Sequence, residues 1–176
     1  MPNLAVFPSA VSPGAILDAA AAPVAQLDAY LDCLRLLDRL HRLMLDLIKD
    51  EFERLAIHDL TPVQALLIYN LGHAQVSAGE LRSRGMYQGS NVSYNLKKLV
   101  QMGYLSHQRS DMDRRSVRVG LTERGQSVRD RVGELFWRHG AALEASGLLD
   151  DPDITRVNAQ WRRIERFWTD QIRFIY

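Results

Sequence analysis

Residues Ser90 to Gly125 read SNVSYNLKKLVQMGYLSHQRSDMDRRSVRVGLTERG, and the apolar period changes twice within them. Val92, Leu96, Leu99 and Val100 recur at helical spacing and make one narrow apolar stripe. Gly103 is placed to end that helix. Its other face offers Ser90, Asn91, Ser93, Tyr94, Asn95, Lys97 and Lys98. Tyr104 to Arg109 and Ser116 to Leu121 then alternate at period two around a charged turn, the pattern of an antiparallel hairpin with a cationic tip. Thr122 can cap a further helix running to about Ala145.

Upstream, TPVQALLIYNLG carries a helix start, with Thr61 as cap, Pro62 at the first helical position, Gln64 completing a capping box and Gly72 as the stop. SAGELRSRG repeats that logic on a short helix, with Ser77 and Glu80 as the box. A long amphipathic helix precedes both, from about Val24 to Ala56, with Leu27, Leu31, Leu34 and Met44 among its apolar positions. A last helix follows, with Asp151 as cap and Ile154, Val157, Trp161, Ile164, Trp168 and Ile172 on its apolar face. Residues 1–23 are rich in Ala, Pro and Ser without a sustained period and read as a tail or arm.

The expected fold is therefore mainly α with a small β-hairpin wing: a winged helix-turn-helix domain flanked by N- and C-terminal dimerisation helices. The boundaries fall at 24–57 for the first dimerisation helix, 58–131 for the winged domain and 132–176 for the closing helices. Both flanking helices carry more apolar residues than one small domain can cover, which calls for a second copy of the chain.

Composition excludes much. Apolar residues at 47% and charged residues at 24% are ordinary for a folded chain. No window approaches the ~18 apolar residues of a membrane span, and Asp18 interrupts the apolar stretch that a signal peptide needs. A single cysteine, Cys33, allows no internal disulfide and fits a reducing cytoplasm. Its leucine neighbours suit a small buried apolar group better than a reactive thiol. The five histidines show no helical metal-site spacing. No nucleophile elbow, phosphate loop or dinucleotide fingerprint is present, so neither catalysis, cofactor nor metal is expected.

Charge is unevenly spread. Leu81 to Arg131 hold eleven Lys/Arg against four Asp/Glu, a net of +7, while the remainder carries −6. That is the footprint of a local anion-binding face. A DNA major groove about 12 Å wide admits one helix and presents a donor and acceptor code. Asn91, Ser93 and Asn95 could read base edges, Tyr94 could touch a phosphate or a thymine methyl, and Lys97 and Lys98 would hold phosphates.

The hairpin and its flanks resemble the MarR family of bacterial winged-helix regulators. The likeness rests on Asp113-Arg114-Arg115, on the alternating Val117 to Leu121, and on Leu121-Thr122-Glu123-Arg124-Gly125 after LKKLVQMGYLSHQRS. VQALLIYNLG and GSNVSYNLKKLV are similar to its LdtR-like branch. The resemblance implies that Arg115 enters a minor groove, that Asp113 orients it and that Arg114 grips the backbone, with Arg109 and Arg118 flanking the tip. Ser93-Tyr94 stands where the family often has Thr-Arg, which removes a bidentate guanine contact. The resemblance further implies a homodimer held through Leu27, Leu31, Leu34, Val157, Trp161, Ile164, Trp168 and Ile172. It also implies a small aromatic or amphipathic effector, with His41, Met44, Tyr69 and Phe136 as lining residues. The expected function is a cytoplasmic transcription regulator that binds double-stranded DNA. The alternative is a winged-helix module docking an acidic protein, which would not need the Asp113/Arg115 tip.

Overall fold

The computed structural model describes residues 24–72, 76–77, 90–109, 117–148 and 150–175, with only the backbone for 24–26, 76–77, 90–92, 108–109, 117, 151 and 173–175. Helix α1 spans Val24–Arg54 and α2 spans Pro62–Leu71. A two-residue strand β1, Val76–Ser77, precedes α3, Ser90–Gln101. Strands β2, Leu105–Arg109, and β3, Val117–Leu121, form the hairpin, followed by α4, Glu123–Ala145, and α5, Asp151–Ile175. The short helix expected between Ser77 and Gly85 lies outside the described residues.

Local chemistry sets the element ends. At α2 both halves of the capping box form: Thr61 Oγ1 accepts from the Gln64 amide, and Gln64 Oε1 accepts from the Thr61 amide. At the end of α3, Gly103 adopts φ 77°, its amide donates to the Val100 carbonyl and the Tyr104 amide reaches back to Leu99. This is the left-handed helix stop that a Cβ would strain. Thr122 caps α4 through the Gly125 amide, 3.1 Å. One cap differs from expectation. Asp150, not Asp151, closes the start of α5, its Oδ1 accepting from the Asp153 amide at 2.9 Å. Three residues separate acceptor carboxylate and donor amide, the reach of a cap side chain.

The sheet order is β1-β3-β2, all antiparallel, with Leu105 opposite Leu121 and Val119 flanked by Val76 and His107. The hairpin follows the alternation of the sequence. Strand β1 was not foreseen, because two residues carry no period. Val119 and Leu105 point into a core that also takes Ile48 and Phe52 of α1, Leu67, Ile68 and Leu71 of α2, Leu96 and Leu99 of α3, and Val128, Val132 and Leu135 of α4. This core reaches past the 58–131 segment at both ends. It leaves the first half of α1 and nearly all of α5 with large exposed apolar side chains, including Leu27, Leu40, Val157 and Phe167.

A buried carboxylate joins α1 and α4 at the core edge. Glu51 of α1 takes two bonds from Arg54, at 2.9 and 2.7 Å, and one from Arg138 of α4 at 2.6 Å. The Arg54 hydrogen bonds, opposed by burial and joined by Arg138, hold its pKa down from 4.5 to about 2. A depressed folded-state pKa contributes stability that is complete above pH ~4.5 and lost as pH falls toward ~2. The Arg54 and Arg138 side chains are 59% and 46% exposed, so solvent screening limits the contribution to about 2 kcal/mol. Urea midpoints at pH 7 and pH 3 check this. Glu51→Gln is expected to lower the midpoint at pH 7 and to flatten the difference between the two pH values.

Candidate nucleic-acid interface

The α3 helix hangs from the core by Leu96 and Leu99, both buried, with Val100 half-buried beside them. Ser93, Tyr94, Lys97 and Lys98 are therefore turned to solvent, as the periodicity requires. Four outward positions within six residues place two cations and two hydroxyls along one face. Ser90 and Asn91 begin the same helix, on residues whose side chains are outside the description.

Asn95 departs from the sequence reading. It sits one turn before Leu99, which places it on the flank of the apolar stripe rather than opposite it. It is half-buried, and its Oδ1 accepts from Gln64 Nε2 at 3.2 Å. Gln64 is itself buried, so one side chain both caps α2 and ties it to α3. Two helices of a helix-turn-helix are thus joined by a polar strut across 31 positions of sequence. The capping-box signal found Gln64, but its second bond depends on a tertiary crossing that no local pattern encodes.

Arg118 lies half-buried in the central strand, between Ser77 and Gln108 in register. Arg109 pairs with Val117 at the far end of the hairpin. Asp113, Arg114 and Arg115 of the tip lie outside the described residues. Strand β2 begins at Leu105, four residues past the end of α3 at Gln101, so helix and hairpin adjoin in the chain.

Sequence reasoning missed the junction between them. The Tyr104 hydroxyl donates to both Asp59 carboxylate oxygens at 2.9 Å. Arg124 donates to Asp59 Oδ2 at 2.6 Å and to the Met102 carbonyl at 2.9 Å, with its guanidinium 4.2 Å from the Tyr104 ring centroid. Burial first, then the neighbouring Asp59 carboxylate, push the Tyr104 phenol above its usual pKa. Thr122 Oγ1 bonds the Gly103 carbonyl at 2.7 Å, and the backbone of Gly125 lies against the Tyr104 carbonyl. Asp59 could not be found from sequence because it acts 65 residues from Arg124.

Three of the four proposed effector-lining residues pack against one core, and the fourth is exposed. Tyr69 and Phe136 pack edge to face, centroids 5.2 Å apart, against the core, Met44 packs on the same core and His41 is exposed on α1. An open cleft of about 620 Å³ lies beside Glu51, lined by Arg54, Arg138, His139, Leu135, Leu143 and Leu148 among others. Cys33 is a free, half-buried thiol on α1. Among the described residues no group of three metal-ligating side chains occurs, and no helix is long and apolar enough to cross a membrane.

Comparison with known proteins agrees with this geometry. Residues 60–125 match the family model of a winged helix DNA-binding domain. The chain is 31% identical over 145 residues to the exopolysaccharide II synthesis transcriptional activator ExpG of Rhizobium meliloti (strain 1021), covering 82% of this chain and 74% of that one. Its fold is similar to the transcriptional regulator SlyA, with TM-score 0.68 at 18% identity over 82% of this chain and 99% of the other. It is also similar to a MarR family regulator from Listeria monocytogenes solved with a 26mer DNA, with TM-score 0.66 at 15% identity over 78% and 89% of the two chains. These likenesses reach the family level and not the LdtR-like branch. With its recognition-type helix, wing and flanking helices in that order, the chain belongs to the MarR family of winged-helix transcriptional regulators.

Proposed function

We propose that two copies of the chain bind a pseudo-palindromic DNA operator, each placing α3 in a major groove and its wing tip in the neighbouring minor groove. One observation carries this: the outward face of α3 holds Ser93, Tyr94, Lys97 and Lys98, while its inward face is fixed by Leu96, Leu99 and the Gln64–Asn95 strut. A rigid helix with a cationic, hydroxyl-bearing face suits groove entry, and two such heads about 34 Å apart match one turn of duplex. The relative solved with DNA supports the same use of the fold.

Dimerisation is supported by α1 and α5. The Trp168 indole donates to the Tyr30 hydroxyl at 3.2 Å, so the two helices meet, yet Leu27, Leu31, Val157 and Ile172 remain exposed beside half-buried Leu34, Trp161 and Ile164. An apolar surface of that extent is stable when another copy covers it. The cleft beside Glu51 supports modulation by a small amphipathic effector, since leucines line it and Arg138 stands at its polar end. A role on DNA supports a cytoplasmic location.

Arg115→Ala tests the reading. On a duplex selected from a random pool it is expected to cost about 1–3 kcal/mol, a loss of roughly 5- to 150-fold in affinity measured by fluorescence anisotropy. Unchanged affinity removes Arg115 from the interface.

A further inference from the structure

We infer that Asp59, Tyr104 and Arg124 form a clasp that sets the pitch of α3, and that Arg124 is a positioning residue for DNA reading rather than a phosphate ligand. The inference rests on the DNA-binding reading and adds a device to it. Arg124 lies in the most basic part of the chain, where an arginine's default role is to hold phosphate. Its geometry spends it elsewhere. One terminal nitrogen holds the Met102 carbonyl, the other holds Asp59, and the guanidinium face covers the Tyr104 ring.

The backbone at the exit of α3 explains what the clasp controls. The carbonyls of Lys98, Leu99 and Val100 accept from the amides of Met102, Tyr104 and Gly103, which completes the helix. Past Gln101, the carbonyls of Met102, Gly103 and Tyr104 are taken up by the first turn of α4 and its cap. They accept from Arg124, from Thr122 Oγ1 and from the Thr122 amide. The C-terminal end of the reading helix is therefore held by the start of α4. Through Asp59 that start is held in turn by the loop just before α2.

Length makes the hold consequential. From Met102 back to Ser93 is about 14 Å of helix. A tilt of about 10° at the exit moves the outward residues roughly 2 Å, more than a base-edge hydrogen bond tolerates. Phosphate contacts by flexible lysines survive such a shift, because they are point charges. Loss of the clasp should then reduce specific binding and leave non-specific binding in place.

The test uses the full-length chain, a duplex selected from a random pool, a scrambled duplex of equal length, and a range of salt concentrations. Asp59→Asn and Tyr104→Phe are expected to weaken specific binding about tenfold while scrambled binding stays equal or tightens. For Asp59→Asn the direction decides, because removing a negative charge would by electrostatics alone tighten both. Arg124→Ala should give the same specific loss with the slope of log affinity against log salt unchanged, whereas loss of a phosphate ligand lowers that slope by about one on both duplexes. Tighter binding of both duplexes by Asp59→Asn, or a lowered slope for Arg124→Ala, overturns the clasp. Amide exchange at Met102 to Leu105 is read without DNA. It should accelerate at least tenfold in Asp59→Asn, and unchanged exchange overturns the clasp as well. A wild-type chain that fails to distinguish the duplexes removes the DNA reading instead, and the exchange result still decides the clasp. Tyr104→Phe, which deletes only a hydroxyl, keeps the test alive if the other variants fold poorly.

Discussion

Gly125→Ala is expected to destabilise the protein by about 3 kcal/mol and to lower its melting temperature by roughly 10 °C. The reason is space, not backbone freedom. A Cβ built on Gly125 meets the Tyr104 carbonyl oxygen at 2.2 Å, and the Tyr104 carbonyl carbon and Leu121 side chain at 3.2 and 3.3 Å. The obstacle is backbone that already accepts from the Thr122 amide, so it cannot withdraw without breaking the joint between α3, the wing and α4. Gly133, on the same helix, provides the control. Its added Cβ would meet only Tyr69 Cε2 at 3.7 Å, an ordinary contact, so Gly133→Ala should be neutral or slightly stabilising. Thermal unfolding followed by circular dichroism separates the two. Equal melting temperatures for both variants would show that the α3–α4 joint yields.

Leu99→Ala should rank beside it. Leu99 is fully buried, and with Leu96 it anchors the reading helix in the core. Truncating a buried leucine removes transfer free energy and leaves a cavity, together about 3 kcal/mol. Lys98, its neighbour in sequence, is exposed, so Lys98→Ala should stay within about 0.5 kcal/mol in stability. The two variants are expected to part in the opposite sense on DNA. Lys98→Ala should reduce the salt dependence of binding in a fully folded protein. Urea midpoints for both variants, set beside salt-dependent anisotropy, give the comparison. A Leu99→Ala midpoint equal to wild type would place α3 outside the core.

These two expectations mark what could be read from residues alone. The periodicity of Val92 to Val100 predicts the inward stripe, and the alternation from Val117 to Leu121 predicts the strand, because both are local repeats that match one backbone geometry. Thr61-Pro62-Gln64 and Thr122 announced their helix starts for the same reason: a cap and its donor lie within four residues. Asn95 was misplaced by a margin of one helical position, since the flank of a stripe and its opposite face differ by less than a turn of rotation. Asp59 and the second bond of Gln64 were invisible, because each depends on segments that meet only after α2, α3 and α4 have packed. Strand β1 was missed since its two residues are strand only by pairing with β3. The edge-to-face contact of Tyr69 with Phe136 was likewise invisible, because it joins two helices far apart in sequence.

The family resemblance added what periodicity could not. It gave the hairpin tip its proposed task, while caps and alternation had already ordered the helices and strands into a winged domain. The fold and the matched relatives agree with that winged order. The physical reading in turn explains the motif. In LTERG, Thr122 joins α4 to the exit of α3, Arg124 grips that exit from outside, and Gly125 lets the chains approach.

The central claim is specific DNA reading by a pair of these chains. It is tested most directly by measuring affinity and stoichiometry together, on a duplex selected from a random pool and on a scrambled duplex at one fixed, near-physiological salt concentration. The expected result is two chains per selected duplex, bound at least roughly a thousandfold more tightly than the scrambled one. Equal affinity for both duplexes, or one chain per selected duplex, would contradict it.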